Sequence, residues 1–162
     1  MKKFLPLGAL LLLGASSLVA QKSKEDVMKA LDSKAETYGT IAQTIWDYAE
    51  MGYLEEQSSA LLQETLAEEG FTITKGIAGI PTAFKAEYGS GYPVIAILGE
   101  FDALPGLSQQ AVPEKQSAGK AAGHACGHHL FGTASSAAAI SVKDWMTANK
   151  IKGTIRFYGC PA

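Results

Sequence analysis

Between Ser23 and Glu50 the residues Val27, Leu31, Ala35, Tyr38, Ile41, Ala42, Ile45, Tyr48 and Ala49 recur every three or four positions, the rhythm of a helix that buries one face. The spacing predicts one long helix over this stretch. Ser23 followed three residues later by Asp26 makes an N-terminal capping arrangement, and Gly52 lies where such a helix can stop. A second helix is expected from Glu55 to Glu69, with Leu61, Leu62, Leu66 and Ala67 on one side and Gly70 as its C-terminal signal.

The period then changes. Phe71, Ile73 and Ile77 open a β-rich region, Thr82 to Tyr88 partly alternates polar and apolar residues, and Gly89-Ser90-Gly91 interrupts it before Pro93, as in a hairpin or meander. Val94 to Leu98 reads VIAIL, a short β-branched run expected to be a central strand buried on both faces. From Leu104 to Ala122 the chain is rich in Pro, Gly, Ser, Gln and Lys without a period, a long loop of a length that is usually functional or mobile. Gly132 to Ala148 is helical, its small residues Ala134 to Ala139 suited to close approach against a sheet or another helix, and Thr154 to Tyr158 is a further short strand. The order predicts an α/β fold, a mixed sheet with helices packed against it. In such folds ligands sit beyond the carboxyl ends of strands, and both polar clusters of this chain follow VIAIL.

Composition adds three constraints. The 162 residues, 47% hydrophobic and 19% charged, suit one ordinary globular domain. The net charge of -2, with lysines dispersed, supplies no basic field, so no nucleic-acid partner is expected. Lys2 and Lys3, the apolar run from Leu5 to Leu13 and the small residues from Ala15 to Ala20 read as a secretory signal peptide, residues 1–20, cleaved after Ala20. The competing reading, a membrane anchor, needs roughly 20 apolar residues, whereas this run is broken by Pro6, Gly8 and Gly14. No stable membrane anchor is expected, and the mature chain is expected in the periplasm or outside the cell. Such a compartment permits a Cys126–Cys160 disulfide. Against pairing, Cys126 lies among Gly and His residues, the chemistry of a metal site. Cys160 follows an apolar strand pattern, as a small buried strand-end residue would.

Two clusters carry candidate chemistry. In Gly99-Glu100-Phe101-Asp102-Ala103-Leu104-Pro105-Gly106, strand alternation puts Glu100 and Asp102 on one side, where their repulsion calls for a cation, an Arg or a hydrogen-bond network. The plain alternative is a solvated strand end with a capping Asp. Gly123-His124-Ala125-Cys126-Gly127-His128-His129 holds all three histidines of the chain. A thiolate and a neutral imidazole suit zinc or a similar metal, and Gly127 lets Cys126 and His128 point the same way. A Cys-His nucleophile pair and an inert Gly-rich loop remain open as alternatives. Two ligands do not close a metal site, and the chain has no further His.

Four segments in order, AGIPTAF (Ala78 to Phe84), LGEFDALPGLSQ (Leu98 to Gln109), GHACGHHLFGTA (Gly123 to Ala134) and RFYGCPA (Arg156 to Ala162), resemble the catalytic domain of metallopeptidase family twenty. The likeness covers nearly all of the mature chain and is greatest to the aminobenzoyl-glutamate hydrolase-like branch. It implies a three-layer, zinc-peptidase-like α/β catalytic domain. Residues 21–162 would be its N-terminal part, without the lid or dimerisation domain and the C-terminal part.

The resemblance also implies a centre of one or two divalent metal ions, Zn or Mn, with Cys126 and His128 as ligands and Asp102 supporting them from behind. The metal would activate a water to attack an amide carbonyl in a small N-acyl amino acid or dipeptide-like substrate. The family's general base is a Glu that follows a GCPA-like stretch. It is absent from this chain, so the chain alone is expected to be inactive, and the full-length form is expected to be a homodimer. An exported, non-catalytic metal-binding remnant is the alternative. Two departures stand out: His129 replaces a common Asp or Asn, and the Glu100 position varies among branches. The resemblance therefore assigns no role to His124, His129 or Glu100.

Overall fold

The first apolar rhythm folds as two helices. In the computed structural model, which describes residues 23–161, α1 spans Lys24–Ser33 and α2 spans Ala35–Tyr48. The expected signal peptide and Ala162 lie outside the described residues. Ser23 caps α1 as anticipated: its hydroxyl accepts from the Asp26 N–H, and the Asp26 carboxylate accepts from the Ser23 N–H at 2.9 Å. The single helix expected from Ser23 to Glu50 breaks at Lys34 (φ −104°, ψ 7°). There the Lys34 ammonium donates to Glu69 at 2.8 Å. The two halves also pack differently, since α2 buries Ala42 and Ile45 and α1 buries none of its residues. The apolar spacing runs straight through this corner, and no Gly or Pro marks it.

Helix α3 spans Glu56–Glu68. Its first turn is capped from outside by Glu50, whose carboxylate accepts from the Gln57 and Ser58 N–H groups at 2.9 and 2.8 Å. An anion at the positive end of a helix satisfies donors that have no partner within the helix.

Strands β1 (Thr72–Lys75) and β2 (Phe84–Ser90) form the expected hairpin, with Ile77–Gly79 as a short 3-10 turn in its connection. Strand β3 covers Val94–Glu100, and β6, the last strand in the chain, covers Gly153–Cys160. The sheet order is β1-β2-β6-β3, antiparallel except where β3 runs parallel to β6. Between them in sequence, the two-residue strands β4 (Leu104–Pro105) and β5 (Ala122–Gly123) pair and close the base of the long loop. Lys120, 5.5 Å from the Trp46 ring, fastens that loop to α2.

The long helix α4 spans His128–Ala148, starting before the expected Gly132. Helices α3 and α4 lie on the sheet, and α1 and α2 pack on α4. Phe84, Ala86, Ile155 and Phe157 from the sheet join Ile45, Leu62, Leu66, Phe101 and Ile140 in one core. Each large apolar side chain buried there contributes about 1.5–3 kcal/mol. Close approach of α4 depends on Gly132, where a Cβ would sit 2.7 Å from the Glu100 carbonyl oxygen. The result is the expected α/β class, a mixed sheet flanked by helices.

VIAIL is not central among the described strands. β3 lies at the sheet edge, with Val94, Ile95 and Leu98 39%, 51% and 56% exposed. An apolar run records a tendency to be buried, but strand order depends on pairings that local sequence does not encode. No helix among the described residues is long and apolar enough to cross a membrane.

Candidate metal centre

Strand β3 delivers Glu100 as its last residue, level with Cys160 on β6. Phe101, fully buried, then anchors the chain in the core, and Asp102 follows with only 4% exposure. The next residue is held by a hydrogen bond from the Ala103 N–H to the Glu50 carbonyl at 2.7 Å. From the other side, Gly127 adopts a left-handed conformation (φ 85°), open to glycine at little cost, and turns the chain into α4 so that His128 is its first residue.

These two chain ends converge. Nδ1 of His128 lies 2.6 Å from Oδ1 of Asp102, and Nε2 lies 3.0 Å from Oε2 of Glu100. Glu100, Asp102 and His128 each bring one ligand atom within 4.8 Å of the others, a grouping able to hold a metal ion. The imidazole is thus gripped between a buried carboxylate and a half-exposed one, whose side chain is 40% accessible. A neutral imidazole donates from one nitrogen only. With Nδ1–H given to Asp102, the Nε2 lone pair faces Glu100 across a gap that a cation suits. A histidine that binds a metal ordinarily donates its other N–H to a carboxylate in this way. The donor set therefore fits a divalent metal.

Cys126 is exposed, and its thiol stands outside the Glu100, Asp102 and His128 group. Both cysteines are free thiols. Burial, and after it the nearby Glu100 carboxylate, pushes the Cys160 thiol up, so it stays protonated at neutral pH. His124 is 8% exposed, lies 3.1 Å through Nε2 from the Ile45 carbonyl, and packs 4.9 Å from the His129 ring. It bolts the histidine loop to the core face of α2. Burial holds both His124 and His129 below the usual histidine range. The contact of Glu100 with His128 joins residues 28 positions apart, and only the E-x-D alternation hinted at it.

No protein-family model matches the chain. Over 135 residues, 82% of the chain, it is 48% identical to one of the named subunits of the p-aminobenzoyl-glutamate hydrolase of Escherichia coli. Among solved structures it resembles a dinuclear metal-binding peptidase from the M20 family of Bacillus subtilis, with a TM-score of 0.68 and 26% identity over 81% of the chain. The chain belongs to the M20 peptidase family. An aminohydrolase of methicillin-resistant Staphylococcus aureus shares the M20-like fold at a TM-score of 0.72, with 21% identity over 86% of the chain. The chain spans 28% of the length of the E. coli relative and 36% and 35% of the two solved chains.

Proposed function

We propose that the protein carrying this chain is a metal-dependent amidohydrolase that cleaves the amide bond joining an acyl group, especially an aromatic one, to an amino acid, as in p-aminobenzoyl-glutamate. The observation that carries this reading is the His128 imidazole held between Asp102 and Glu100 at the end of a strand, in a chain 48% identical to a protein named for that hydrolysis.

His128 and Cys126 would hold the ion, and Asp102 would fix the His128 ring and keep its Nδ1 protonated. A bound divalent ion polarises the amide carbonyl and lowers the pKa of a water. The thiol and imidazole donors favour Zn, and the carboxylates also accommodate Mn. Export with loss of residues 1–20 rests on their basic, apolar and small-residue order. A homodimer is proposed for the full-length protein, and the E. coli relative is itself named as a subunit.

The test is hydrolysis of p-aminobenzoyl-glutamate by the protein carrying this chain, before and after removal of metal with a chelator. Activity that disappears and returns with Zn or Mn supports the reading. Undiminished activity in the stripped protein, or no hydrolysis of any N-acyl amino acid, overturns it.

A further inference from the structure

We propose that Glu100 is itself a metal ligand, sharing one divalent cation with Nε2 of His128. This rests on the metal-dependent reading above and adds a residue to which the sequence assigns no role.

Three observations carry it. Oε2 of Glu100 stands 3.0 Å from Nε2 of His128. Donors bonded to one metal at about 2.0–2.2 Å lie roughly 3.0–3.5 Å apart, so the spacing is that of two neighbouring ligands. The other ring nitrogen is taken by Asp102 at 2.6 Å, which leaves Nε2 as the coordinating atom and puts any bound cation on the Glu100 side.

Lastly, Glu100 is held but not spent. Its backbone is pinned by pairing of β3 with β6 and by contact of its carbonyl with Gly132. Among the described residues, the ion pair of its carboxylate is with His128, with no Lys or Arg partner. With a side chain 40% accessible, the carboxylate can meet both an ion and the solvent from which substrate arrives. An oxygen donor here would also lower the net charge of the bound ion and bias the site toward Zn, Mn or Co over softer Cu(I).

The experiment measures Zn and Co(II) affinity of the protein carrying this chain, by competition with a chromophoric chelator, for wild type, Glu100→Gln and His128→Ala. Circular dichroism confirms that each variant is folded. Glu100→Gln keeps the size of the side chain at a half-exposed position, and the Co(II) absorption spectrum reports the ligand set independently of affinity. The proposal predicts a roughly 10–100-fold loss of affinity and an altered Co(II) spectrum for Glu100→Gln, with a larger loss for His128→Ala. Wild-type affinity and an unchanged spectrum in Glu100→Gln, with metal lost from His128→Ala, overturn the role of Glu100 and leave the wider reading standing. A wild-type protein that binds neither ion overturns both.

Discussion

Asp102, two residues beyond β3, and His128, the first residue of α4, meet at 2.6 Å through Oδ1 and Nδ1. Asp102 is 4% exposed, so this is a buried carboxylate committed to one imidazole. Substituting Asp102→Asn keeps the shape and removes the charge that holds the ring in one tautomer. Metal affinity is expected to fall about 10–100-fold with the far-ultraviolet dichroism unchanged. Equilibrium dialysis against Zn checks this, and an unaltered affinity would remove Asp102 from the site.

His124 ties the same loop to the core through the Ile45 carbonyl. Replacing it with Ala leaves a buried acceptor without its donor, a cost of about 1–3 kcal/mol. The urea midpoint should drop accordingly, and His124→Gln, which can still donate, should recover part of the loss.

Gly132 couples helix packing to the site, because a Cβ there would press on the Glu100 carbonyl oxygen at 2.7 Å and crowd Leu62 and Phe101. The variant Gly132→Ala should lose about 1–3 kcal/mol, as overpacked cores do. It should also bind metal more weakly, since the strand end that presents Glu100 must move. Thermal melting and metal titration read the two effects separately.

Acid sensitivity has a defined source in Glu69, which accepts from Lys34 at 2.8 Å and Lys143 at 3.0 Å. The Lys34 hydrogen bond, with help from Lys143, holds the Glu69 carboxyl below its usual range. A carboxyl depressed in the folded state contributes stability at neutral pH, and that contribution is lost as pH falls through and below about 4.3, the ordinary glutamate value. Because Glu69 is 30% exposed, the gap between wild type and Glu69→Gln should be under about 1 kcal/mol at pH 7. The gap should close toward pH 3 in urea titrations.

Local signals were legible where the structure is local. Ser23 and Asp26 announced the start of α1, and the expected helix from Glu55 to Glu69 matches α3 within a residue at each end. The corner at Lys34 was hidden because apolar spacing continues across it and its partner, Glu69, lies 35 residues away. The edge position of β3 was hidden for a similar reason: VIAIL has the composition of a buried strand, but its neighbour β6 lies more than 50 residues later in the chain. At the site, the donor residues were readable as types. Their grouping was not, since Gly127 turns His128 toward Asp102 and Glu100 while the Cys126 thiol remains exposed.

The most direct test is the metal content of the purified native protein carrying this chain, measured by elemental analysis beside that of His128→Ala. At least one Zn or Mn per chain in the wild type, lost from the folded variant together with hydrolysis of p-aminobenzoyl-glutamate, is the predicted result. An active wild-type protein without bound metal, or a His128→Ala variant with the full metal complement, would contradict the account.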